Sequence, residues 1–339
     1  MAEGRFRVAV VGATGMVGQE MLRVLHQRRF PISELMALAS DRSVGEAVRF
    51  GNDSITVAAA TARALGQVDL ALFSAGSDVS LELAPGAAQS GALVVDNSAA
   101  WRLEPGIALV VPEINPQALE LGGRIVANPN CSTIQLGMTL EPLRRLAGLR
   151  RVLMNTYQSA SGHGKALVDE LAEQTRQLAA GGDPKPIVYP HRLAYNVVPG
   201  GWPSAELGFN EEEWKVMRET TKILESPDLA ICCTTVRVPV PVAHAQSVWV
   251  KTDVPLSADR ARQAWATMPG VRVVDDPAAQ VYPTPSQAVG TDDVLVGRIR
   301  VDPSCSNGLA YFSCADNLRK GAALNAVQVA ELAISRGLL

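Results

Sequence analysis

Short runs of β-branched and aliphatic residues alternate with longer amphipathic segments through the first third of the chain. That rhythm belongs to repeated βαβ units and a parallel sheet. Strands are predicted near Arg5 to Val11, Leu35 to Ser40, Leu70 to Ser74, Leu93 to Asp96, Ala108 to Val111 and Arg124 to Ala127. Met16 to His26 is predicted as the first helix, because Val17, Met21, Val24 and Leu25 fall on one face. From about Cys131 the texture changes. One helical stretch runs to Leu146, then strand-like runs cover Arg151 to Ser159 and Leu229 to Val238. Loops rich in Gly and Pro, at Gly181 to Pro186 and Pro199 to Pro203, interrupt them and suit a site or an interface better than a core. The last segment, Asn317 to Arg336, has helical spacing at Leu324, Val327, Ala330, Leu332 and Ile334 and is expected to pack back on the first domain. The expected fold is α/β, with a Rossmann-like parallel-sheet nucleotide domain over 1–130 plus 317–339 and a second α+β domain over 131–316.

Length supports two domains, since 339 residues exceed the size at which one core stops growing. Hydrophobic residues at 47% and charged residues at 19% suit a chain that buries a sizeable interior. A formal net charge of -3 offers no basic excess for nucleic acid or anionic lipid, so small molecules are the expected partners. The five cysteines are odd in number and lack paired C-x-x-C spacing, which argues against a metal site or a disulfide framework and for reduced thiols in the cytoplasm. Neither a signal-peptide pattern nor a bilayer-length apolar run is expected.

Two motifs carry chemistry. Gly12-Ala13-Thr14-Gly15-Met16-Val17-Gly18 joins a predicted strand to a predicted helix, where glycines allow close approach of a pyrophosphate and the helix start supplies N–H groups. Its G-x-x-G-x-x-G spacing is less specific than G-x-G-x-x-G. After the second strand, Ser40-Asp41-Arg42-Ser43 mixes an arginine suited to a 2′-phosphate with an aspartate suited to a ribose hydroxyl, and the balance favours NADP. The second motif, Asn128-Pro129-Asn130-Cys131-Ser132-Thr133, places Cys131 at a helix start, where partial positive charge favours the nucleophilic thiolate. Cys232, Cys233, Cys305 and Cys314 sit in strand-like apolar runs and are expected to be small buried hydrophobes. His244 follows Arg237-Val238-Pro239-Val240-Pro241, and an imidazole there would accept a proton from a thiol and return one to an alkoxide. Its distance from Cys131 is open at this stage.

Read together, these segments resemble aspartate-β-semialdehyde dehydrogenases along nearly the whole chain. The matching stretches are residues 12–18, ASDRSVG at 39–45, NPNCST at 128–133, TYQSASG at 156–162, FNEEEWK at 209–215, RVPV at 237–240 and DNLRKGAALNAVQ at 316–328. The resemblance implies that the second domain is catalytic and dimerising. It implies that Cys131 attacks L-aspartyl 4-phosphate to form a thioester, which hydride from NADPH converts to the semialdehyde, a step in lysine/diaminopimelate, methionine and threonine biosynthesis. His244 then matches the acid–base residue and Gln158 the glutamine that holds substrate and orients the nucleophile. Arg237 matches the α-carboxylate clamp, Glu212 the α-ammonium partner, and Arg102, Lys215 and Asn130 the phosphate side of the site. Gly12, Thr14, Gly15, Met16, Val17, Ser40, Arg42, Ser43, Ser161, Gly162 and Asn317 fall at cofactor positions. No metal is implied, and the family usually forms a homodimer.

Two positions depart from the family's pattern: His163 stands where a small residue is common, and Ala245 where a serine is common. N-acetyl-γ-glutamyl-phosphate reductase is the nearest enzymatic rival. It handles an acylated amine, whereas a carboxylate at Glu212 suits a free ammonium. A non-catalytic paralogue is disfavoured by the complete set of Cys131, Gln158, Arg237 and His244.

Overall fold

The computed structural model describes residues 5–339. The chain divides into two compact units, 1–130 with 322–339 and 131–321. The return to the first unit therefore falls at Ala322, five residues after the boundary expected from the sequence.

In the first unit, β1 (Phe6–Val11), β2 (Ile32–Ala39), β5 (Ala58–Ala59), β6 (Leu70–Phe73), β7 (Leu93–Asp96), β8 (Ala108–Leu109) and β9 (Ile125–Ala127) form one parallel sheet, ordered β5-β2-β1-β6-β7-β9-β8. A small antiparallel pair, β3 (Ala47–Phe50) and β4 (Asp53–Thr56), stands apart. Both faces of the sheet are buried, which is why its strands read as continuous apolar runs rather than alternating ones. Val8, Val10, Leu70, Leu72 and Val95 pack on one face with α1 (Met16–Gln27) and α9 (Leu324–Ser335). Ala9, Val11, Ala71, Phe73 and Val94 pack on the other with α2 (Ala62–Leu65) and α3 (Ser77–Gln89).

Three of the element ends that differ from the sequence expectation do so where side chains take main-chain groups. Strand β8 stops at Leu109, where the Asn115 side chain accepts from Val111 N–H at 2.9 Å and donates to the Leu109 carbonyl at 2.8 Å. Asn317 lies outside the C-terminal helix, because Asp316 Oδ1 takes the N–H groups of Leu318 and Arg319 in a tight turn, and a π-helical turn at Arg319–Ala323 precedes α9. The run from Leu229 gives only β11 (Ala230–Thr234), since Thr235 N–H bonds to Glu213 Oε1 and Val236 N–H to Thr156 Oγ1.

The second unit carries a mixed sheet, ordered β11-β10-β12-β15-β14-β13, from β10 (Arg151–Tyr157), β12 (His244–Lys251), β13 (Val271–Val273), β14 (Val294–Val301) and β15 (Gly308–Ala315). Its helices are α4 (Cys131–Ala147), α5 (Lys165–Ala179), α6 (Glu211–Ile223), α7 (Ala258–Ala266) and α8 (Pro285–Ala288). Val152, Met154, Val248 and Val250 on one face are buried. The alternate positions Leu153 and Tyr157 are over one-third exposed at 38% and 37%, and Tyr157 stacks on Phe312 at 5.9 Å.

Candidate active site

In the first unit, a cleft of about 530 Å³ opens where the chain leaves β1, β2 and β6, the switch point of a doubly wound sheet. Gly12, Thr14, Gly15, Ser40, Asp41 and Arg42 line it. Gly12 has φ +87°, and a Cβ there would stand 2.5 Å from the Ser74 carbonyl oxygen, so only glycine fits without displacing backbone. A Cβ on Gly18 would collide with the Gly12 carbonyl, so that glycine lets α1 close on the loop. No side chain caps α1, and the first N–H groups of a helix have no intrahelical acceptor. Met16, Val17 and Ser43 are not among the lining residues. Asp41 and Arg42 are both exposed, and neither is in an ion pair among the described residues. Glu82 also lines the cleft and carried no signal in the sequence, since it belongs to α3, far along the chain from the glycine turn.

The loop before Cys131 is anchored within the first unit. Arg102, buried, donates to the carbonyls of Asn128 at 2.9 Å and Asn97 at 2.8 Å. Asn128 bonds to Asn97 Oδ1 and to the Ala322 carbonyl, and receives Asn325 at 2.7 Å. Asn130 is buried beside it in sequence.

Cys131 is the first residue of α4 and is half-buried. This helix is bonded along the inner face of the second sheet. Thr139 meets Tyr311 at 2.8 Å, Gln135 meets Ser313 at 3.0 Å, and the Ser132 carbonyl accepts from Gln246 at 2.7 Å. Ser313 and Gln246 are register partners, as are Ala315 and His244. The next inward position of β12 beyond Gln246 is therefore His244, and it lies at the Cys131 end of the helix.

Around that end four of the candidate side chains converge, all buried. Gln158 Nε2 donates to Ser132 Oγ at 3.1 Å and to Glu212 Oε1 at 3.2 Å. Glu212 sits in the first turn of α6, which a capping box between Asn210 and Glu213 initiates and whose acidic start suits the helix dipole. Arg237 Nη1 donates to the Ser159 carbonyl at 2.8 Å, while its guanidinium lies over Trp202 at 4.8 Å and Tyr189 at 5.7 Å. Its buried Nε has no hydrogen-bond partner among the described residues. His244 Nδ1 faces Ser159, and its buried Nε2 has no partner among the described residues. Burial, then the nearby Arg237 charge, lower the His244 pKa to about 3, so the ring is neutral at physiological pH. Lys215 follows Glu212 by three residues on α6 and is half-buried and paired with Glu211 at 3.3 Å.

Ser161, Gly162 and Asn317 belong to the second unit, where they surround the imidazole. Asn317 Oδ1 accepts from Ser159, Ser161 and the Ala243 N–H, and a Cβ on Gly162 would press on His244 and Arg237. The two departures from the family pattern resolve differently. His163 packs edge-on against Tyr189 at 5.4 Å, one of the two rings beside Arg237. Ala245 points to the opposite sheet face and packs with Ala288, Leu295 and Cys314, so it does not touch the imidazole. Cys233 and Cys314 are buried, with thiol pKa values pushed up by burial. Cys232 and Cys305 depart from expectation: Cys232 is exposed on the outer side of β11, and Cys305 is half-exposed in the turn before β15.

Comparison with known proteins agrees with this geometry. Residues 7–121 match the model of the semialdehyde dehydrogenase NAD-binding domain, and 140–320 match that of the semialdehyde dehydrogenase dimerisation domain. The aspartate-semialdehyde dehydrogenase of Synechocystis is 44% identical over 98% of both chains. The crystal structure of aspartate semialdehyde dehydrogenase II from Vibrio cholerae complexed with ASA has a TM-score of 0.95 at 41% identity, covering 98% of this chain and 99% of that one. The Candida albicans enzyme with NADP, 21% identical over 99% and 100% of the two chains with a TM-score of 0.78, shares the fold.

Proposed function

The chain belongs to the aspartate-semialdehyde dehydrogenase family, and on that premise we propose that Cys131, Gln158, Glu212, Arg237 and His244 carry its reaction. The reaction is NADPH-dependent reductive dephosphorylation of L-aspartyl 4-phosphate to L-aspartate 4-semialdehyde, which feeds lysine/diaminopimelate, methionine and threonine synthesis. Convergence of buried Gln158, Glu212, Arg237 and His244 on the Cys131 end of α4 is the observation that carries this reading.

The sulfur of Cys131 attacks the acyl carbon, the carbon–oxygen bond to phosphate breaks, and a thioester remains. Bound NADPH supplies the hydride that reduces this thioester. Collapse of the resulting thiohemiacetal breaks the carbon–sulfur bond and returns the thiolate with the aldehyde. Gln158 links the nucleophile's helix to Glu212, whose buried carboxylate suits the substrate ammonium. Arg237, fixed by Ser159 and two aromatic rings, presents its unpaired Nε to the α-carboxylate. Arg102, Asn130 and Lys215 are assigned to phosphate, and His244 to proton handling at the carbonyl oxygen.

For the cofactor, the glycine turn at Gly12, Thr14 and Gly15 and the N–H groups of Met16 and Val17 fit a pyrophosphate. Arg42 with Ser40 and Ser43 suits a 2′-phosphate. Ser161, Gly162 and Asn317 are assigned to the nicotinamide side. The half-exposed apolar face of the second sheet, with Leu153, Tyr157 and Phe312, suits a second copy of the chain in a homodimer. A reactive thiol at Cys131 suits the reducing cytoplasm.

Purified protein given aspartate semialdehyde and phosphate should reduce NADP. Turnover of N-acetyl-γ-glutamyl semialdehyde instead would reassign the substrate and the role of Glu212.

A further inference from the structure

The proton on His244 can be located from its surroundings. Nδ1 lies 3.0 Å from the backbone nitrogen of Ser159 and 3.0 Å from its Oγ. A backbone N–H only donates, so the ring atom it faces is an acceptor and carries no hydrogen. Turning the ring over would set a C–H against that N–H. The neutral imidazole therefore carries its hydrogen on Nε2. That atom is buried with no hydrogen-bond partner among the described residues. Gly162 leaves the space beside it open, since a Cβ there would stand 3.0 Å from Nε2.

Ser159 is itself held in place. Asn317 Oδ1 accepts from Ala243 N–H at 2.9 Å, Ser161 Oγ at 3.0 Å and Ser159 Oγ at 3.2 Å. One carbonyl oxygen thus ties the residue preceding His244 to the turn that carries Ser159.

We propose that Ser159, anchored by Asn317, is a positioning residue that holds His244 as the Nε2–H tautomer, so that His244 meets the substrate oxygen as a hydrogen-bond donor. This rests on the reading of His244 as the proton-handling group and narrows it. A donor aimed at the oxygen that becomes an alkoxide stabilises charge as the thiohemiacetal forms. For Nε2 to receive the Cys131 proton, the ring would first have to carry hydrogen on Nδ1, donor against donor with Ser159 N–H.

The test is nitrogen-15 NMR on the full-length protein labelled at its four histidines, with His244 assigned by the signals missing in His244→Asn. Two-bond couplings should report hydrogen on Nε2. Hydrogen on Nδ1, or an imidazolium at neutral pH, overturns the proposal. In steady-state kinetics, Ser159→Ala removes the hydroxyl that lies 3.0 Å from Nδ1 and ties Ser159 to Asn317, and should lower kcat roughly ten-fold, the scale of one hydrogen bond, with semialdehyde KM little changed. Ser159→Thr, which keeps the hydroxyl, should restore most of it. Parent kcat in the Ala variant, or equal impairment in a folded Thr variant, also overturns the role. An inactive parent with hydrogen on Nε2 counts against the functional reading alone, whereas an active parent with hydrogen on Nδ1 counts against this inference alone.

Discussion

The two units place their polar chemistry in different parts of the chain. Around the cleft of the first unit, the fit to a nucleotide comes from main chain: Gly12 at positive φ, Gly18 under the Gly12 carbonyl, and an uncapped helix start. The second unit uses side chains, and they are bonded to one another: Gln158 to Glu212 and Ser132, Arg237 to Ser159, and Ser159 to His244 and Asn317. A main-chain site tolerates side-chain changes so long as its turn survives, because backbone N–H groups are common to all residues except proline. A wired side-chain site does not, because removing one member leaves buried partners unsatisfied.

Five substitutions bear on this contrast. Cys131→Ala should abolish turnover while leaving the circular dichroism spectrum and unfolding midpoint near the parent's, since the side chain lost is small. Near-parent activity in a folded variant would show that the sulfur is not the nucleophile. Gly12→Ala is the main-chain counterpart. Left-handed backbone and a Cβ 2.5 Å from the Ser74 oxygen should together cost roughly 2–4 kcal/mol of stability, read from urea unfolding, with NADP affinity falling too. An unchanged midpoint would mean the turn can relax.

Arg237→Lys keeps the charge but loses the planar fork and its packing on Trp202 and Tyr189. Transition-state binding should drop by about 1–3 kcal/mol, expressed in kcat/KM for the semialdehyde. Lys215→Ala should instead raise the KM for phosphate. If each variant affected the other substrate, the two ends of the site would exchange assignments. The smallest effect is expected at Arg42, which is exposed. Arg42→Ala should cost about 1 kcal/mol of NADP binding and leave NAD nearly untouched. Equal use of both cofactors by the parent protein would indicate that Asp41 dominates.

Much of the first unit was legible from sequence because its signals are local. Val8 to Val11 are buried on both faces and read as an unbroken apolar run, and the glycine turn follows within seven residues. The second unit was read less completely. The capping box of α6 is visible in Asn210 to Glu213, yet helices α5, α6 and α7 and strands β12, β14 and β15 were not drawn from pattern. Their faces are set by partners on other elements of the fold, as when α7 meets α4 through Trp265, which donates to the Thr139 carbonyl 126 residues earlier.

By itself the sequence determined the parallel sheet of the first unit, the glycine turn, the cysteine at a helix start and, through its resemblance to a family, the set of residues proposed to act. Only the tertiary structure decided how those residues are joined. Glu82 enters the nucleotide cleft from α3, Ala245 turns away from the imidazole it adjoins in sequence, and Asn317 spends its carbonyl oxygen on two serines and a peptide N–H. Residue type and local periodicity are properties of neighbours along the chain. Whether a buried nitrogen donates or accepts depends on what folding sets in front of it, and for His244 that is a backbone N–H eighty-five residues earlier.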